Sequence, residues 1–124
     1  FTDEKWMNFI LGQLIQNSAK YAAGEGAELV FSSRLCDEGL SSERIELEVR
    51  DNGCGVEQAD LARVFDRGFT GENGRSGKRA TGIGLYLVKR LCDKMGLAVR
   101  AQSAPGEYFA VTIAFPTNKM HYFE

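Results

Sequence analysis

The order of periodicities along the chain predicts an α+β fold: a two-layer α/β sandwich whose mixed, mainly antiparallel sheet carries about three helices on one face. Three observations lead there. The first twenty residues repeat apolar side chains at helical spacing. Residues 44–50 alternate strictly between apolar and charged, the pattern of a strand buried on one side. The strand-like stretches come in adjacent pairs joined by short turn clusters, so each pair is antiparallel rather than a βαβ unit.

The first helix is expected from about Asp3 to Ala22, with Thr2 or Asp3 as its cap and acids in its first turn. Trp6, Phe9, Ile10, Leu14, Asn17 and Tyr21 fall at spacings of three and four and define its face. Ala22 to Gly26 ends it. A strand from Ala27 to Cys36 follows, and a hairpin through Glu38 and Gly39 leads into the alternating strand Arg44 to Arg50. Glu57 to Phe65 reads as a short helix. Asp66 to Thr81 is rich in glycine, serine and charge without apolar period, which predicts a long flexible loop of the kind that serves as a lid. A helix from Ile83 to Met95 stops at Gly96. Leu97 to Gln102 and Tyr108 to Phe115 form a last hairpin turned by residues 103–107.

A chain of 124 residues with 44% hydrophobic residues can build one domain with a real core. The formal net charge of −2, with acids and bases interspersed, offers no footprint for nucleic acid or an anionic membrane. No apolar run approaches a membrane span. The chain opens without Met on a helix signal and with no signal peptide, which predicts a domain excised from a longer protein. Cys36, Cys54 and Cys92 lack the paired spacing of a zinc site or a disulfide framework and fit a reducing compartment. Cys92 falls on the apolar face of its helix and reads as core rather than as a catalytic thiol.

Chemistry concentrates in two glycine-punctuated stretches, Asp51 to Gly55 and Thr81 to Leu85. Asp51 ends a strand and can accept a hydrogen bond from an exocyclic amine such as that of adenine, with Gly53 and Gly55 letting backbone lie against a planar ring. Asp-Asn-Gly is equally an ordinary turn. The second stretch opens a helix, whose free N–H groups and dipole suit phosphate. Asn17 interrupts an apolar stripe; its amide oxygen can ligate Mg2+, or simply find a local partner. Lys20 can reach the same phosphates or lie in solvent, and Tyr21 can cover a purine or join the core. Gln13, one turn before Asn17, cannot deprotonate a water, which favours transfer to another acceptor over hydrolysis. Arg67, Arg75, Lys78 and Arg79 can close over a triphosphate or merely keep the loop soluble. Phe65 and Phe69 can latch the lid or pack. Gly82 to Leu87 lacks the third glycine of a dinucleotide fingerprint, and Gly77-Lys78 lacks the hydroxyl residue and first glycine of a P-loop.

Taken in order, these elements resemble the ATP-binding catalytic domain of a bacterial sensor histidine kinase of the GHKL superfamily, over nearly the whole chain. Gln13 to Tyr21 is similar to the N box, Asp51 to Gly55 to the G1 box, Phe65 to Phe69 to the F box, and Thr81 to Leu85 to the G2 box. The resemblance implies the Bergerat sandwich, ATP as substrate and Mg2+ as cofactor. It implies that Asn17 holds Mg2+, that Lys20 and Tyr21 contact phosphate and nucleotide, and that Asp51 binds the adenine amine. Gly53, Gly55, Val56, Phe65, Arg67, Thr81, Gly82, Gly84 and Leu85 are implied to shape the pocket and lid hinge. Many members carry Asn where this chain has Gln13. Together with Lys5-Trp6-Met7 and residues 71–75, Gln13 resembles the intramembrane-sensing subgroup associated with peptide-antibiotic transporters. The single histidine, His121, lies in the tail with no adjacent acid, so the acceptor is expected on a separate dimerisation domain. Implied partners are that domain, a response regulator and a transporter. The implied setting is the cytoplasmic part of a membrane-anchored homodimer. The rival readings are a GHKL-type ATPase and a non-catalytic nucleotide-sensing module.

Overall fold

The computed structural model describes residues 4–20, 26–66 and 84–117. Its elements are helix α1 (Glu4–Lys20), strands β1 (Leu29–Cys36) and β2 (Arg44–Asp51), helices α2 (Gln58–Leu61) and α3 (Gly84–Met95), and strands β3 (Ala98–Ala104) and β4 (Tyr108–Pro116). The four strands form one sheet in the order β1-β2-β4-β3, and every described pairing is antiparallel. The α+β sandwich expected from the sequence is therefore the fold.

The alternation read in residues 44–50 has a direct outcome. Val49 of β2 opposes Val111 of β4 and Phe31 of β1, and this face carries the core. Ile10 and Leu14 of α1, Val88 and Cys92 of α3, and Ile113 of β4 are fully buried within it. Each such side chain contributes about 1.5–3 kcal/mol relative to exposure. Burial pushes the Cys92 thiol up to about 11. Cys92 is thus a core residue and not a nucleophile.

Helix α3 ends in a Schellman motif, with Gly96 at a positive φ of 73°. Leu97 N donates to the Cys92 carbonyl at 2.8 Å and Gly96 N to the Asp93 carbonyl at 3.2 Å, satisfying carbonyls the helix leaves unpaired. The chain then turns directly into β3, which sets α3 against the sheet.

Three expectations need correction. The buried stripe of α1 is Met7, Ile10, Leu11 and Leu14, whereas Trp6 and Phe9 are exposed. Both stripes fit helical spacing; the direction from which the sheet approaches decides between them. The short helix expected over Glu57 to Phe65 is only Gln58–Leu61, because residues 62–65 continue as turns. Val64, buried beyond the helix, and Phe65 still pack on the core, so apolar spacing there reflects contacts made by turns. Strand β3 runs to Ala104, so Ser103 is a strand residue rather than part of the turn.

Candidate functional site

The site is organised by α1, by the end of β2 with the loop after it, and by the start of α3. Asp51 is the last residue of β2 and is 6% exposed. Its Oδ2 accepts a hydrogen bond from Ser18 Oγ at 2.9 Å, and its Oδ1 accepts one from Gly53 N at 2.9 Å. The turn and the buried acid, alternatives in the sequence, coexist: the carboxylate closes its own turn and also reaches α1. Both donors are neutral, and no cation pairs with Asp51 among the described residues. A carboxylate has about four acceptor positions. With two used by described residues, the carboxylate has room for a further donor.

The loop after Asp51 is tied to the β3–β4 hairpin. Gly106 N donates to the Cys54 carbonyl at 2.7 Å, Val56 N to Ser103 Oγ at 2.8 Å, and Gln58 Nε2 to the Ser103 carbonyl at 3.0 Å. Ser103 Oγ donates in turn to the Tyr108 carbonyl at 2.8 Å. Gly55 has φ 65°, and a Cβ there would lie 2.7 Å from the Ala104 carbonyl oxygen and 2.8 Å from that of Tyr108. Its need for glycine is met by protein backbone, a different cause from the ligand approach that the motif suggests. On the other side, Asn52 holds residues 26–28: its Nδ2 donates to the Gly26 carbonyl at 3.0 Å, and its Oδ1 accepts from Glu28 N at 2.7 Å.

Asn17 lies next to Ser18 on α1, is half-buried, and makes no side-chain hydrogen bond among the described residues. One turn earlier, the Gln13 amide lies against the start of α3, where a Cβ on Gly84 would be 2.8 Å from Gln13 Oε1. Helix α1 therefore spans from the opening turn of α3, at Gln13, to Asp51, at Ser18. Along its axis these two residues are about 7 Å apart. The first described turn of α3 lies at one end of that span, and the buried acid closes the other. No group of three or more His, Cys, Asp or Glu side chains could hold a metal among the described residues. An amide oxygen with no side-chain partner among the described residues has the donor chemistry that Mg2+ accepts beside phosphate oxygens and water.

Val56 and Leu85 are half-buried against the core, as is Phe65. Tyr21, Arg67, Phe69, Arg75, Lys78, Arg79, Thr81 and Gly82 lie outside the described residues, as does the Lys20 side chain. The sequence reading missed Ser18 and Ser103. Only the fold brings Ser18 to Asp51, 33 positions away, and Ser103 to Val56, 47 positions away. Their one local signal is a hydroxyl where an apolar side chain would otherwise serve.

The sequence profile described as "Histidine kinase-, DNA gyrase B-, and HSP90-like ATPase" matches residues 2–119. The chain belongs to that ATPase family. Among curated members it is 44% identical over 117 residues to the sensor histidine kinase YxdK of Bacillus subtilis, covering 94% of this chain and 34% of that protein. To the sensor protein BceS of Halalkalibacterium halodurans it is 37% identical over 115 residues, covering 93% and 32%. Among solved structures, the mycobacterial sensor histidine kinase MprB superposes with a TM-score of 0.79 at 26% identity, covering 94% of this chain and 75% of that one. Full-length ShkA in complex with AMPPNP gives 0.69 at 25% identity, covering 89% and 21%. The chain thus spans about a third of the length of the curated relatives it matches. The fold of this ATPase family is the sandwich seen here, and the relatives are named sensor kinases.

Proposed function

We propose that this domain binds ATP with Mg2+ and delivers the γ-phosphoryl group to a histidine on a separate dimerisation domain of a sensor kinase. The observation that carries this reading is Asp51: a buried carboxylate held by two neutral donors, with acceptor capacity left, at the mouth of a span that ends on a helix start. An adenine amine completes its hydrogen bonding, and the N–H groups opening α3 receive the phosphates. Asn17 is the residue that would hold the metal. Bound Mg2+ supplies neutralisation of charge on the triphosphate oxygens. Lys20 and Arg67 would add positive charge, Tyr21 would contact the nucleotide, and Thr81 and Gly82 would help shape the pocket and lid hinge. The protein contributes position and fixed charge more than covalent chemistry. Gln13, seated against Gly84 and unable to act as a base, supports transfer to histidine rather than to water.

The domain would act as the cytoplasmic part of a membrane-anchored homodimer that passes the phosphoryl group on to a response regulator. A transporter partner follows from the likeness to the intramembrane-sensing subgroup. Titration of the 124-residue chain with a non-hydrolysable ATP analogue, with and without Mg2+, tests the binding step. Saturable binding strengthened by Mg2+ is expected, and Asn17→Ala should remove at least tenfold of that enhancement. Undetectable binding at millimolar analogue would refute the reading. Mixing with the acceptor domain of a related kinase should yield acid-labile, base-stable phosphohistidine; rapid steady release of free phosphate without it would point to a hydrolase instead.

A further inference from the structure

We propose that β1 is a self-association edge, at which a second copy of this chain adds its own β1 antiparallel about a two-fold axis through Ser33. Among the described residues β1 borders only β2, so its outer backbone groups are open to pairing. Proteins blunt such edges with prolines, bulges, short strands or charges. This edge has few of these devices. It is eight residues long, contains no proline, pairs with β2 without a bulge, and carries one charge, Arg34. Its apolar side chains stay in solvent: Val30 is 53% exposed, Phe31 45% and Leu35 48%. Ile45, opposite Leu35 on β2, is 42% exposed and extends the same strip on the helix-bearing face. The other edge, β3, exposes Ala98, Arg100 and Gln102 instead and offers no comparable strip.

The sequence of β1 selects a second copy as occupant because it is complementary to itself in one register. With Ser33 opposite Ser33, Phe31 of each copy faces Leu35 of the other, and Val30 faces Cys36. Arg34 faces Ser32, so the two guanidiniums do not meet. Directly opposed residues in an antiparallel pair share a face, so this arrangement keeps both helix layers on the same side. The strips of Phe31, Leu35 and Ile45 then run together across the junction. Centring the axis on Ser32 would set Phe31 against serine and Val30 against Arg34. Centring it between Ser32 and Ser33 would set Phe31 against Arg34. The apolar pattern thus fixes the register as it does within a sheet. One strand pair buries less than a standard interface, so the association is weak and reversible.

Cross-linking tests both the surface and its register. In a Cys36→Ser, Cys54→Ser background, Ser33→Cys places one thiol per copy on the axis. Ser32→Cys places it one position away, and Gln102→Cys puts it on the opposite edge. Under mild oxidation Ser33→Cys should form disulfide-linked dimer at least tenfold faster than either control. Equal rates for Ser33→Cys and Gln102→Cys, or a faster Ser32→Cys, would overturn the proposal. By sedimentation velocity the average mass of the native chain should rise as its concentration goes from about 10 μM to about 1 mM. Phe31→Lys, with an unchanged circular dichroism spectrum, should stay monomeric; a native chain that is itself monomeric throughout the range also overturns the proposal.

Discussion

Strand β2 buries two carboxylates on opposite faces, and they are held in opposite ways. Glu46 points to the face away from the helices and is 3% exposed. Three arginines surround it: Arg44 Nε at 2.8 Å, Arg100 Nη2 at 3.0 Å and Arg34 Nη2 at 3.2 Å. Its hydrogen bonds to Arg100, together with those to Arg44 and Arg34, hold its pKa down to about 2. Asp51, five residues on, has a hydroxyl and a backbone N–H. Glu46 has all the positive charge it can use, so nothing is left for it to recruit. Among the described residues Asp51 has only these two neutral donors, which is the arrangement the proposed contact with an adenine amine calls for. A buried acid is informative about function through what surrounds it more than through its depth.

Substitutions can break this contrast. The largest effect is expected from Asp51→Asn, which keeps shape but replaces an acceptor with an amide. Affinity for an ATP analogue should fall about thirtyfold, ~2 kcal/mol, by calorimetry. Unchanged affinity would make Asp51 as structural as Glu46. Glu46→Gln should leave that affinity within about twofold while lowering unfolding stability by about 2 kcal/mol, because three guanidiniums lose their shared anion. Equal losses of binding in the two variants would erase the distinction.

The acid limb sharpens it. A glutamate with its ordinary pKa of 4.5 when unfolded and about 2 when folded takes up its proton first in the unfolded chain. The stability it contributes is present above that higher value and is lost as pH falls toward 2. Denaturant titrations between pH 5 and 2.5 should show a steeper decline for the native chain than for Glu46→Gln. The smallest effect is expected from Ser18→Ala. It removes one of the two donors to Asp51 and should weaken the analogue about fivefold, ~1 kcal/mol. A stability loss with no change in affinity would assign Ser18 to folding alone.

Much of the architecture was legible because it follows from local periods. The alternation of Ile45, Leu47 and Val49 gave β2 its core face, and Gly96 gave α3 its end. The sequence marks Gly55 as a position that needs glycine, yet the cause there is a crowd of oxygens from β3 and β4, which no local pattern carries. Trp6 and Phe9 fit the helical stripe but stand outside the core, because spacing defines a face without saying which way the sheet approaches. Glu46 falls on the charged side of the alternation, where nothing local signals burial; its burial depends on Arg34 and Arg100 from two other strands. Ser18 was missed for the same reason: its partner lies across the fold. Asp51 was readable as a candidate because strand end, acid and glycines are contiguous.

The bolting of residues 54–58 to the final hairpin has a consequence for inhibition. If ATP binds as proposed, these hydrogen bonds hold that wall before anything docks, so a competitor need not spend entropy on arranging it. Rigid heteroaromatic fragments that present a single amine should therefore reach high ligand efficiency there, and their enthalpy of capture should vary little with the length of whatever tail is attached.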